Sequence, residues 1–142
     1  MKTIPLTITA RCKENPNCFF TGKNMPISIA IKNNESHDID FPLLFVQKKG
    51  PSIKLIDTKT NRRVGLNTNL PDNKFRNTFT KIPPGESVSI DWIIYESELK
   101  QFGVDRVDLT AEISISTEII QTGRKDNFKL SGVGIIKIIE EE

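Results

Sequence analysis

The sequence predicts an all-β domain, an antiparallel β-sandwich of about nine short strands with one short helical turn. Three observations predict it. Val88, Ile90 and Trp92 alternate with Ser87, Ser89 and Asp91, which puts one apolar side chain in two on the same face of a strand. The same period recurs along the chain, most cleanly at Val107, Leu109, Ala111, Ile113 and Ile115. Proline, glycine and asparagine clusters separate these runs at short spacing, and no strand–helix–strand rhythm of a parallel nucleotide-binding sheet is present.

In chain order, Thr3 to Ala10 reads as a first strand with Ile4, Leu6, Ile8 and Ala10 on one side. Arg11 to Asn24 is a polar loop interrupted by Phe19-Phe20. Met25, Ile27, Ile29 and Ile31 form the inner face of the second strand, and Asn33 to Asp38 has the composition of a turn. Ile39 to Val46 is apolar on both faces, as a central strand would be, although Pro42 cannot donate to a ladder.

After Gly50-Pro51, Ser52 to Asp57 pairs with Arg63 to Leu66 as a hairpin. Asn67 to Lys74 is a polar loop, and Phe75 to Ile82 is a further strand. Pro83-Pro84-Gly85 turns the chain into the Trp92 strand. Glu96 to Phe102 is the one helix-like piece, ending at Gly103. Thr122 to Asn127 is a turn, and Phe128 to Ile139 is the closing strand. No linker or internal repeat divides residues 1–142, so one domain is expected, of a size that buries a core without metal support.

Composition excludes several functions. The net charge of +2 is too small for nucleic acid or an anionic membrane to be the main partner. No apolar stretch approaches the roughly 20 residues of a membrane span. The N-terminal apolar residues alternate with threonine and lack the continuous core of a signal peptide. Cys12 and Cys18 leave two readings open: a bridge contributing about 2–3 kcal/mol, or two buried thiols. A bridge argues for an oxidising compartment and an unprocessed Met1 for the cell interior; the balance leans to an extracytoplasmic site.

The chain offers little catalytic chemistry. His37 is the only histidine, and it sits in an Asn/Asp turn. A cysteine nucleophile would need an activating base and an orienting carboxylate that no local motif supplies. Glu35, Asp38 and Asp40 match no calcium-loop spacing. No metal and no cofactor are expected, and an enzyme ranks behind two non-catalytic readings. Asn34-Glu35-Ser36 fits a glycosylation sequon, a pattern short enough to arise by chance.

Three motifs sit in a suggestive order. The run Ile27 to Ile31 leads to Asn34-Glu35-Ser36; Leu55-Ile56-Asp57 leads through a polar turn to Arg63-Val64; and Pro84-Gly85-Glu86 leads into the alternating strand that ends at Trp92. This arrangement, over roughly residues 25 to 115, resembles bacterial immunoglobulin-like sandwich modules, including those of the intracellular proteinase inhibitor type. The resemblance implies an immunoglobulin-like sandwich. The chain departs from it at Gly103-Val104-Asp105, where such modules begin a strand with Gly-x-Tyr. The Cys–Trp–Cys framework of antibody domains is also absent, because both cysteines precede Trp92.

The expected function is therefore protein binding without catalysis, inhibition of another protein being one form of it, through loops on a rigid sandwich. The segment from Lys48 to Lys81 is basic, opposed only by Asp57 and Asp72, which suits an acidic partner. The expected contact residues are Phe19, Phe20, Arg62, Arg63, Asn73, Lys74 and Arg76, with the aromatics as anchors and the cations facing carboxylates. The alternative is a structural domain of an envelope assembly, or a homodimer, joined through the terminal strand Ile135-Ile136-Lys137-Ile138-Ile139.

Overall fold

Alternating side chains give the strands a buried and a solvated face, and such strands make up most of the regular structure. The computed structural model describes residues 2–70, 78–103, 106–119 and 128–140. Its elements are β1 (Lys2–Cys12), β2 (Phe19–Phe20), β3 (Met25–Asn33), β4 (Ile39–Phe41), α1 (Leu43–Lys49), β5 (Ser52–Asp57), β6 (Arg63–Gly65), β7 (Thr80–Ile82), β8 (Ser87–Ile94), α2 (Glu96–Leu99), β9 (Asp108–Ile119) and β10 (Phe128–Glu140). The all-β class expected from the sequence holds.

The strands run in the order β6-β5-β9-β10-β1-β3-β8, with β2 beside β10 and β4 paired with β7 as a separate ribbon. The expectation of a purely antiparallel arrangement does not hold. Lys2–Pro5 of β1 pairs parallel with Phe128–Ser131, and β2 pairs parallel with Ile139 and Glu140. The other ladders are antiparallel. Pairing direction depends on which distant segments meet, and period-two alternation reads the same in either direction.

β1 belongs to two ladders. Its last residue paired to β10 is Pro5, which lacks the N–H to continue the ladder. From Leu6 to Cys12 it pairs with Asn33 to Ile27 of β3 instead. On the way it crosses the inner face of β10 at two glycines. A Cβ on Gly134 would lie 2.6 Å from the Ile8 carbonyl oxygen, and one on Gly132 would meet the Leu6 carbonyl oxygen. Glycine at both positions is what lets one backbone lie this close to the other.

Inward side chains from both ladders enter one contiguous core, in which Ile27, Ile29, Ile31, Leu55, Ile90, Ile94, Leu109, Ile113, Leu130 and Ile138 are almost fully buried. Each such side chain contributes about 1.5–3 kcal/mol relative to exposure. The disulfide between Cys12 and Cys18 lies at the margin of this core.

The run expected as a strand over Ile39 to Val46 divides at Pro42 into β4 and α1. From Pro42 onward the buried positions of this run are Pro42, Phe45 and Val46, a spacing of three and four. Lys48 and Lys49 occupy the last turn and Gly50 the C-cap at φ 89° and ψ 158°. Proline before a helix and glycine after it were the signals present in the sequence. Of the strand expected over Phe75 to Ile82, residues 75–77 lie outside the described residues, and Thr80–Ile82 forms β7.

Candidate protein-interaction surface

The residues selected from sequence are placed unequally. Phe20 is 2% exposed and belongs to the core, so it is not a surface anchor. In β2 it is paired with Glu140 of β10, and its ring lies inward beneath Lys100, whose Nζ lies 5.8 Å from the ring centroid. Phe19 is half-buried, and Asn15 grips its backbone at both ends: Phe19 N–H donates to Asn15 Oδ1 at 3.1 Å, and Asn15 Nδ2 donates to Phe19 C=O at 2.9 Å. Arg62 and Arg63 are exposed. Asn73, Lys74 and Arg76 lie outside the described residues.

Arg62 stands on a turn built by a buried carboxylate. Asp57 is 1% exposed, and its Oδ2 accepts from the N–H and the hydroxyl of Thr60 at 2.9 and 2.5 Å. Asp57 N–H donates to Arg62 C=O, and Asn61, at φ 60°, donates its N–H to Asp57 C=O. The buried carboxylate is therefore paired within the turn, while Thr58 ties the turn to Asp108 through its N–H and its hydroxyl. It holds the Arg62 guanidinium 5.7 Å from the centroid of Phe102, itself buried. A cation in this position gains about 0.5–1 kcal/mol from the ring at an exposed site.

A second surface was not selected from the sequence. Among the described residues β8 is the last strand of its sheet, and Ile93 near its end and Tyr95 just after it are 43% and 51% exposed. These two, with Trp92, Pro26, Asn69 and the Lys13–Asp91 ion pair of 2.9 Å, line a cleft of about 390 Å³. Four segments build it. Lys13 N–H donates to Pro26 C=O, Pro26 is paired opposite Ile93, and Asn69 is tied to the C-terminal end of α1 through Lys48 C=O and Lys49 C=O. Tyr95 is the N-cap of α2, where Glu98 Oε1 accepts its N–H at 3.0 Å.

The side of β8 facing away from β3 is closed at one point by a side chain. Gln47 of α1 accepts Asp91 N–H on Oε1 at 2.9 Å and donates from Nε2 to Asp91 C=O at 2.8 Å. Its carboxamide takes the place of a peptide group on a neighbouring strand, one way of blunting an edge. The sequence held a signal for this surface. Ser87, Ser89 and Asp91 are the outward residues of β8, and the next two positions of that phase are Ile93 and Tyr95, apolar where the pattern calls for polar.

Elsewhere, Asp108 accepts from Lys137 Nζ at 2.7 Å and from the Thr58 hydroxyl at 2.9 Å. The Lys137 hydrogen bond is the main reason that its carboxyl is held below the ordinary range; burial opposes this, and Thr58 and the charges of Lys137 and Lys59 add to it. His37 is exposed, and Asp38 pairs with Lys81 at 3.7 Å. Among the described residues no three His, Cys, Asp or Glu side chains are grouped to hold a metal ion. No helix among them is long and apolar enough to cross a membrane. The disulfide leaves neither cysteine as a thiol.

The chain matches no protein-family model and no curated protein.

Proposed function

We propose that this chain is a non-enzymatic protein-binding module with an immunoglobulin-like sandwich architecture, inhibition of its partner being one form the binding takes. The observation that carries the reading is the cleft at the end of β8, where Trp92, Ile93 and Tyr95 border 390 Å³ of open space on an edge strand. Apolar and aromatic side chains left in water at an outward strand position are costly unless they meet a partner. Tryptophan and tyrosine are the residue types on which binding energy concentrates. The Lys13–Asp91 pair supplies a polar rim.

The test is a photo-crosslinking residue in place of Tyr95, irradiated in extract of the source cells. The reading expects one dominant protein adduct that disappears when Ile93→Lys is added. Adducts equal in number and yield to those from an exposed polar position such as Ser89 would overturn it.

A second reading, self-association through β10, is favoured by one specific observation. Val133 and Ile135 project from the outer face of β10 at 55% and 66% exposure. The inward residues Ile136 and Ile138 are buried, so charges there would unfold the chain and test nothing about association. Ile135→Glu is the informative change. Sedimentation of the unaltered protein as a monomer at high concentration would dismiss this reading.

A further inference from the structure

The end of the molecule where the β5–β6 turn meets the segment after α2 carries two cations that have no carboxylate partner among the described residues. Arg62 rests on Phe102 and Lys100 on Phe20. Lys100 and Phe102 are two residues apart, so their Cα atoms lie within about 7 Å of each other. We infer that this face docks an acidic peptide segment, with Arg62 and Lys100 as its two carboxylate-binding positions.

Among the described residues, four carboxylates of this end of the molecule are committed elsewhere. Asp57 is buried and bonded to Thr60, Asp108 is held by Lys137 and Thr58, and Glu140 Oε1 accepts Val107 N–H at 2.9 Å. Glu98 accepts Tyr95 N–H. Glu96 stands four residues before Lys100, yet no ion pair joins them among the described residues; the ammonium lies over Phe20 instead. The cations therefore rest on aromatic faces, which orient them, and among the described residues their hydrogen-bond donors are open to a ligand. The internally bonded Asp57–Arg62 turn fixes the position of Arg62 before binding, which lowers the ordering cost of recognition.

The chemistry favours a peptide over a nucleic acid. The chain's net charge is only +2, and two separate cations suit spaced charges better than a continuous phosphate backbone. The faces of Phe20 and Phe102 are buried and covered by cations, so they are not available to stack bases.

The inference rests on the protein-binding reading for the class of its partner, but it uses a different surface, and its test does not involve the β8 cleft. Fluorescein-labelled hexaglutamate and a fluorescein-labelled DNA hexanucleotide are titrated with the full chain at low and moderate salt, followed by anisotropy. Hexaglutamate should bind, weaken as salt rises, and lose at least tenfold in affinity in Arg62→Gln/Lys100→Gln. Lys48→Gln/Lys49→Gln, an equal charge change elsewhere, should stay within twofold, as should Ile93→Lys.

Urea midpoints of both double variants confirm that they are folded. If the first pair unfolds, Arg62→Lys serves instead, with a smaller loss expected because a point charge replaces a planar fork. No hexaglutamate binding at low salt, equal loss in both double variants, or tighter binding of the hexanucleotide would each overturn the inference. A failed crosslink at Tyr95 with intact hexaglutamate binding would count against the cleft alone.

Discussion

The indole of Trp92 lies directly against the backbone of Gly50, leaving no room there for a side chain. A Cβ on Gly50 would fall 2.6 Å from Trp92 Cζ2, and closer still to the next ring carbon. Gly50 also ends α1 at φ 89° and ψ 158°, a region that only glycine occupies without strain. One residue therefore closes the helix, starts the approach to β5, and seats the aromatic ring that borders the cleft.

Gly50→Ala should accordingly be among the most damaging single changes outside the strands, at a position that is buried. Backbone strain and the ring clash each cost about 1–3 kcal/mol, so a loss near 3 kcal/mol is expected from urea denaturation. Tryptophan fluorescence should shift with it, since the ring must move. A loss below 1 kcal/mol with an unchanged spectrum would contradict the packing described.

The crossing of β1 over β10 predicts a different asymmetry. Gly134→Ala forces the new methyl toward the Ile8 carbonyl, and overpacking of this kind costs about 1–3 kcal/mol. Ser114→Ala, on the outward side of the neighbouring strand, should change stability by less than about 0.5 kcal/mol. Hydrogen exchange should show the loss of protection concentrated in Leu6 to Cys12, the half of β1 that pairs with β3.

Asn33 is fully buried and uses its whole side chain. Nδ2 donates to His37 C=O at 2.9 Å and to Ile82 C=O at 2.8 Å, while Oδ1 accepts Glu35 N–H at 2.7 Å. It joins the end of β3 to its following turn and to β7. Asn33→Ala should cost about 2–3 kcal/mol by leaving buried backbone groups unpaired. Asn33→Asp should cost at least as much, because a carboxylate keeps the acceptor but loses both donors.

The Asp108–Lys137 pair predicts a pH dependence of known sign. The folded carboxyl is held below its ordinary value, so its contribution is complete above the unfolded pKa and disappears as pH falls through the folded one. With 28% and 44% of the two side chains exposed, the pair is worth about 0.2–1 kcal/mol. Lys137→Ala should show that deficit at pH 7 and converge with the parent below the ordinary carboxylate range. Carbon-detected titration should place the Asp108 pKa higher in the variant than in the parent.

Much of the fold was legible because a strand's two faces are a local property. Ile4, Leu6 and Ile8; Met25, Ile27, Ile29 and Ile31; and Leu109, Ala111, Ile113 and Ile115 are all interior, as their period of two requires. The hairpin that pairs Leu55 with Val64 and the short α2 before Gly103 were readable from turn composition. The seven residues after Pro42 were not, because a short apolar run suits a strand as well as a helix, and only packing against β8 separates them.

The choice of surface shows the same division. Sequence marks Phe19-Phe20 as aromatics in a polar loop and Arg62-Arg63 as cations in a turn, and it goes no further than residue type and neighbourhood. Tertiary structure turned Phe20 into the core, put Arg62 on Phe102, and gathered Lys13, Pro26, Asn69 and Ile93 around one cleft. Those residues come from segments far apart in the chain, and no local period records their meeting. The sequence alone determined which side chains leave water; the long-range pairing of β1, β3, β8 and β10 decided which of the rest share a surface.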